Sequence, residues 1–134
     1  MKKLILTLFF SAFAFANLIN WQTSLDDAVS LAKKENKNIL VFVTAAGCPY
    51  CELMEQEIFN DKEGVNYLGK SYIFVKLNFS EAKKIFKDVY VTPTTYFITP
   101  KKEILASQVG YQNEEFFYYT VGNADRKFKE LKGK

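Results

Sequence analysis

The sequence predicts an α/β fold, a central mixed sheet of about four strands flanked by helices, and three observations carry that expectation. Segments of helical and of strand periodicity follow one another along 134 residues in the order α-β-α-β-α-β-β-α. Residues 39–43 form a continuous apolar run rich in β-branched side chains, the pattern of a strand buried on both faces. Cys48-Pro49-Tyr50-Cys51 then falls directly between that strand and an amphipathic helix. The length suits one ordinary globular domain.

Each element has its own local signal. Ser24-Leu25-Asp26-Asp27 has the spacing of a helix start, and Leu25, Ala28, Val29 and Ala32 recur at helical intervals, so the first helix should run to about Asn36. After the first strand, Pro49 suits the opening position of a helix, and Leu53, Met54 and Ile58 give it an apolar face ending near Asn60 and Asp61. Residues 61–71 read as an extension or a short second helix. Residues 72–79 are the second strand, and 81–87 hold enough helix formers for a short crossover. Val91-Thr92-Pro93-Thr94 ends that crossover. Residues 96–98 and 104–109, joined by a turn at Pro100-Lys101-Lys102, make an antiparallel hairpin. Asn113 caps a last helix with Glu114 and Glu115 in its first turn and Phe117, Val121, Ala124, Phe128 and Leu131 on one stripe. Helical crossovers between the first three strands predict parallel pairing among them, with the fourth added antiparallel.

The amino end carries a different message. Lys2 and Lys3 precede an apolar run over 4–14 and the small-x-small pattern Ala14-Phe15-Ala16, which resembles a bacterial secretory signal peptide. The stretch 4–19, broken by Ser11 and Asn17, is shorter than the roughly 20 apolar residues a membrane span needs. Cleavage is expected after Ala16, with Ala12-Phe13-Ala14 as a second candidate, leaving a domain over 17–134 in the periplasm, where disulfides form and persist. No cysteine follows either site, so a lipid anchor is not expected.

Composition narrows the chemistry. Lys and Arg number 18 against 15 Asp and Glu, a net charge of +3, and losing Lys2 and Lys3 leaves no basic surplus for nucleic acid. Histidine is absent, which excludes Ser-His-Asp and Cys-His nucleophile pairs, imidazole zinc sites and axial-histidine haem from within this chain. Two cysteines are too few for a multi-bridge framework or a complete four-ligand metal site, so neither a metal nor a cofactor is expected.

A spacing of three on a helical turn puts two Cα atoms roughly 5–6 Å apart, so a disulfide between Cys48 and Cys51 can open and close with little backbone motion. Cys48 takes the helix N-cap, where free N–H groups and the helix dipole favour a thiolate, and Cys51 should be less accessible. Lowering a thiol pKa from about 8.5 to about 7 raises the thiolate fraction at pH 7 about sixteenfold, while a Brønsted coefficient near 0.45 removes about fivefold of nucleophilicity. The net gain is about threefold, so the low pKa acts more by making Cys48 a good leaving group and by stabilising the reduced form. A permanent disulfide in a tiny loop, or half of a zinc site shared between two chains, are the alternatives.

Residues 39–43 leading into Cys48-Pro49-Tyr50-Cys51, Val75-Lys76-Leu77-Asn78, and Val91-Thr92-Pro93-Thr94 together resemble the thioredoxin-fold superfamily, in particular small exported thioredoxin-like oxidoreductases of bacteria. The resemblance covers about 24–131. It implies a cis-proline at Pro93 beside the cysteines and a Thr92 backbone that pairs with an extended segment of substrate, with Pro49 and Tyr50 also facing substrate. Gly110 matches the glycine that follows the last strand in these folds.

Departures from that family are specific. The buried aspartate that thioredoxins carry six residues before the first cysteine is Phe42 here, while the lysine that accompanies it is matched by Lys76. Proton transfer to the buried thiol must then use water, Lys76, or Glu52 and Glu55, two glutamates that read as solvated helix-face residues. Gly47 stands where thioredoxins have tryptophan. The Pro-Tyr dipeptide resembles glutaredoxins, yet no Gly-Gly follows the proline loop and the order is Val-Thr-Pro, so glutathione binding is not expected. Tyr50 and Tyr111 are placed near the motif as substrate contacts. The consecutive aromatics Phe116, Phe117, Tyr118 and Tyr119 are either a partner-binding patch or, as expected here, two in the core and two over neighbouring side chains.

The reading that follows is an exported thiol-disulfide oxidoreductase, acting as a monomer, that reduces protein disulfides through Cys48 and Cys51 and draws electrons from a donor in the membrane. Thr before the proline occurs in reducing and isomerising relatives, so the resemblance implies a reductant with a potential below about −180 mV. A disulfide donor or isomerase, or a non-catalytic thioredoxin-fold binding module, are the alternatives.

Overall fold

The computed structural model describes residues 19–134. The signal peptide expected over 1–16 lies outside the described residues. The elements run α1 (Leu25–Glu35), β1 (Asn38–Thr44), α2 (Pro49–Met54), a π-helical turn (Glu55–Phe59), α3 (Lys62–Gly69), β2 (Tyr72–Asn78), α4 (Phe79–Ile85), β3 (Thr94–Ile98), β4 (Ile104–Val109) and α5 (Glu114–Lys132).

Local capping chemistry explains most helix starts. Ser24 Oγ accepts from the Asp27 N–H at 3.1 Å, Asp61 Oδ2 from the Gly64 N–H at 2.7 Å, and Asn113 Oδ1 from the Phe116 N–H at 3.0 Å. The Asp61 cap makes 62–69 a helix of its own rather than a tail of the preceding one. Asn78 and Glu81 form a reciprocal capping box, which ends β2 at Asn78 and starts α4 two residues before the expected position.

The sheet order is β2-β1-β3-β4. β1 and β2 are parallel, as expected, but β3 runs antiparallel to β1, with Val43 opposite Thr94. The prediction of parallel pairing for the third strand is therefore corrected. The seven residues of β1 extend roughly 23 Å, whereas the seven of α4 rise only about 10 Å. So short a helix cannot return the chain to the start of the sheet, and residues 86–93 deliver it to the end where β1 finishes. β4 then pairs antiparallel with β3.

One face of the sheet packs Leu40, Phe42, Phe74 and Phe97 against Cys51, Met54, Ile58, Leu68, Phe117 and Val121 of the helices. The other face packs Val41, Val43, Val75, Tyr96 and Ile98 against α1 and α4. Of the four consecutive aromatics, Phe117 is buried and Tyr118 half-buried, while Phe116 and Tyr119 are exposed. Ahead of α1, the Gln22 N–H donates to the Phe74 carbonyl at 2.8 Å and the Gln22 carbonyl accepts from Lys76 N–H at 3.0 Å, adding a short parallel bridge beside β2.

Candidate active site

The end of β1 and the start of α2 place the cysteines. Gly47 takes φ +69°, the left-handed region that disfavours a side chain, and turns the chain so that Cys48 becomes the N-cap of α2. Cys48 and Cys51 are joined as a disulfide with Cα atoms 5.3 Å apart, inside the separation expected from their spacing. The Cys51 N–H donates to Cys48 Sγ at 3.2 Å. Cys51 is 2% exposed and Cys48 half-buried, so the two sulfurs differ in access.

The loop into β3 closes over this pair. The Thr92–Pro93 peptide is cis, Pro93 is buried, and its carbonyl accepts from the Gly110 N–H at 2.8 Å. Thr92 Oγ1 donates to Cys48 Sγ at 3.5 Å. The family resemblance offered only the Thr92 backbone, and the hydroxyl contact is an addition that residues 44 positions apart in sequence do not disclose.

Tyr50, exposed in the first turn of α2, lies 5.8 Å ring to ring from Tyr111, which follows Gly110. The Tyr111 hydroxyl donates to Glu57 Oε2 at 2.5 Å, and this hydrogen bond raises the tyrosine pKa. Pro49 is exposed beside Tyr50. Pro49 and Tyr50 directly follow the more accessible cysteine, and the Tyr50–Tyr111 contact brings the segment after β4 to the same turn.

Behind the disulfide, Phe42 is fully buried and stacks in an aromatic group with Phe59 at 4.9 Å and Trp21 at 6.0 Å between centroids. Lys76, the cross-strand partner of Phe42, pairs with the carboxylate of Glu55 and holds its ammonium 4.7 Å from the centre of the Trp21 ring. Glu55 thus keeps the solvent access expected from sequence and in addition pairs with Lys76. Glu55 opens a π-helical turn 21 residues before Lys76, and nothing local in the sequence marked that pairing. Glu52, by contrast, is exposed.

A mixed sheet with a Cys-x-x-Cys disulfide at a strand-to-helix junction and a cis Thr92–Pro93 peptide whose threonine touches Cys48 defines a class, the thioredoxin-like domains. The family model described as "Thioredoxin-like domain" matches residues 25–123, and the chain belongs to that family. Human spermatogenesis-associated protein 20 is 33% identical over 76 residues, covering 57% of this chain and 10% of that protein, so the chain spans about a tenth of the length of that relative. Among solved structures, a putative disulphide-isomerase from Bacteroides thetaiotaomicron superposes with a TM-score of 0.69 at 21% identity, over 79% of this chain and 92% of that one. A thioredoxin from Thermus thermophilus superposes with a TM-score of 0.65 at 21% identity, over 75% and 82%. Both share the fold.

Proposed function

We propose that the protein is exported to the periplasm and there reduces disulfides of other proteins, as a monomer and without a cofactor. The observation that carries this reading is the asymmetry within one disulfide: a half-buried Cys48 touched by Thr92 and capping a helix, and a buried Cys51 behind it. In the dithiol form the Cys48 thiolate attacks a substrate disulfide, one S–S bond forms as another breaks, and the leaving substrate sulfur takes up a proton. Cys51 then loses its proton and attacks Cys48, re-forming the Cys48–Cys51 bond and releasing the second substrate thiol. Two electrons pass to the substrate, and a membrane protein bearing a dithiol restores them.

The remaining residues have roles consistent with this cycle. The backbone of Thr92 pairs with an extended segment of the substrate chain, as in β-strand addition, with Pro93 beside it and Pro49 and Tyr50 in contact with its flanks. Lys76, with Glu55, moves the proton of Cys51. Neither role needs a group outside the chain.

Insulin reduction by dithiothreitol, followed by turbidity, tests the activity: the parent should accelerate it and Cys48→Ser should not. Equilibration with a dithiothreitol redox buffer should give a potential below about −180 mV. A value near about −120 mV would instead assign a disulfide donor. Cys51→Ala should trap mixed disulfides whose partners identify the substrates.

A further inference from the structure

We propose that Thr95 and Gln108 are positioning residues for the resolving thiol, a buried polar pair that hydrogen-bonds the Cys51 sulfur when the disulfide is open. The proposal rests on the redox reading above and assigns it a further part of the site.

Paired residues on neighbouring strands share a face of the sheet. The register places Lys76 opposite Phe42, Phe42 opposite Thr95, and Thr95 opposite Gln108, so these four form one row across all four strands. Phe42 packs in the same cluster as Cys51 and Met54, so the row lies on the face covered by the helix that carries the buried cysteine. It is also the row one step in from Thr94, where β3 begins beside the disulfide.

Two members of that row are anomalous. Thr95 is 1% exposed and Gln108 5% exposed, yet among the described residues Thr95 Oγ1 and both side-chain polar atoms of Gln108 have no hydrogen-bond partner. The neighbouring Thr94 shows that the chain satisfies a hydroxyl at this end of the sheet, donating to the Val91 carbonyl at 2.7 Å. Valine and methionine would fill the same two positions with no polar group to strand, so keeping a hydroxyl and an amide there disfavours this state of the protein.

The state with those unpaired atoms is the disulfide state. In it the Cys51 sulfur has no proton to donate and is a weak acceptor. Reduction breaks the S–S bond and brings in two electrons and two protons. The proton at Cys51 stays on sulfur, because burial disfavours the thiolate. A freed S–H is then a donor for the Gln108 carbonyl oxygen and an acceptor for the Thr95 hydroxyl or the Gln108 amide. The unpaired groups thus weigh against the oxidised form and find a partner in the reduced form, which raises the potential of the pair.

The experiment uses the full domain at pH 7 in mixtures of reduced and oxidised dithiothreitol, with the reduced fraction read by thiol alkylation. Thr95→Val and Gln108→Met should each shift the equilibrium toward the disulfide by about fivefold to tenfold, tenfold being about 30 mV more negative. Thr95→Ser, which keeps the hydroxyl, should return it to within about twofold of the parent. Urea unfolding should show the two apolar variants more stable than the parent in the oxidised form and not in the reduced form. Variants whose equilibrium stays within about twofold of the parent, or which change stability equally in both forms, overturn the proposal. A parent that stays oxidised in excess dithiothreitol overturns the redox reading along with it, a result distinct from a reducible parent with unshifted variants.

Discussion

The hydroxyl of Thr92 lies 3.5 Å from the sulfur of Cys48, reaching from the loop before β3 to the cap of α2. A donor at that distance stabilises a thiolate more than a thiol, because only the anion is a strong acceptor. It therefore acts in the same direction as the Cys51 N–H on the same sulfur.

Replacing Thr92 with Val should raise the Cys48 thiol pKa. A hydrogen bond to a charged group contributes about 1.5–3 kcal/mol when short and shielded. This one is long and its cysteine half-buried, so a smaller effect, about 1 kcal/mol, is expected. The rate of iodoacetamide alkylation of the reduced protein against pH reads that shift, and a profile unchanged from the parent would deny the hydroxyl any part in tuning Cys48.

Phe42→Asp restores the carboxylate found at this position in thioredoxins, and here it should be strongly destabilising, by about 3–5 kcal/mol. The new side chain would be buried between Trp21 and Phe59 with Lys76 as its cross-strand neighbour, a cation already engaged by Glu55, so most of the burial cost remains. Burial raises its folded pKa above the unfolded value of about 3.9, so the loss should be smallest below about pH 4 and grow as pH rises through the folded pKa. Urea midpoints at acidic and neutral pH measure this.

The Lys76–Glu55 pair is about one-third exposed on both sides, at 32% and 35%. Lys76→Met should therefore cost less than about 1 kcal/mol in urea unfolding. Its effect on the cycle should be larger: resolution of a preformed mixed disulfide by Cys51 should slow by roughly tenfold, short of the ~100-fold typical of an obligatory proton carrier, since water reaches a pair this open. Stopped-flow release of a chromogenic thiol follows that step.

Stability should fall above about pH 10, and two tyrosines account for part of the fall. Burial, then the hydrogen bond to Asp125 at 2.6 Å, raises the Tyr72 pKa well above its ordinary range. Burial and Asp88 at 3.1 Å do the same for Tyr96. A raised folded pKa means stability that is whole below the unfolded pKa of about 10 and lost as pH climbs toward the folded one, at about 1.4 kcal/mol per pH unit for each tyrosine. Tyr72→Phe should remove one such slope between about pH 10 and 12, seen as a flatter decline of urea midpoints relative to the parent.

What the sequence disclosed was local. Ser24, Cys48-Pro49 and Asn113 mark helix starts because a cap and its N–H partner lie within three residues of each other, and the run 39–43 marks a central strand because every side of it is covered. The direction of β3 escaped because it depends on how far α4 carries the chain, a length that a stretch of helix formers does not state. The partner of Lys76 and the Thr92 contact to Cys48 escaped for a related reason: 21 and 44 residues separate those pairs, and only the folded sheet brings them together. The cysteines were legible since their chemistry is written in their own spacing.

The short bridge that Gln22 makes beside β2 has a bearing on self-association. Open-ended stacking of strands from copy to copy requires two unsealed borders, one to accept and one to offer. Gln22 occupies part of one border, while among the described residues β4, with Ile104 and Val109 exposed, pairs with no strand on its outer side. Addition of a strand from another copy is therefore hindered along that stretch of β2.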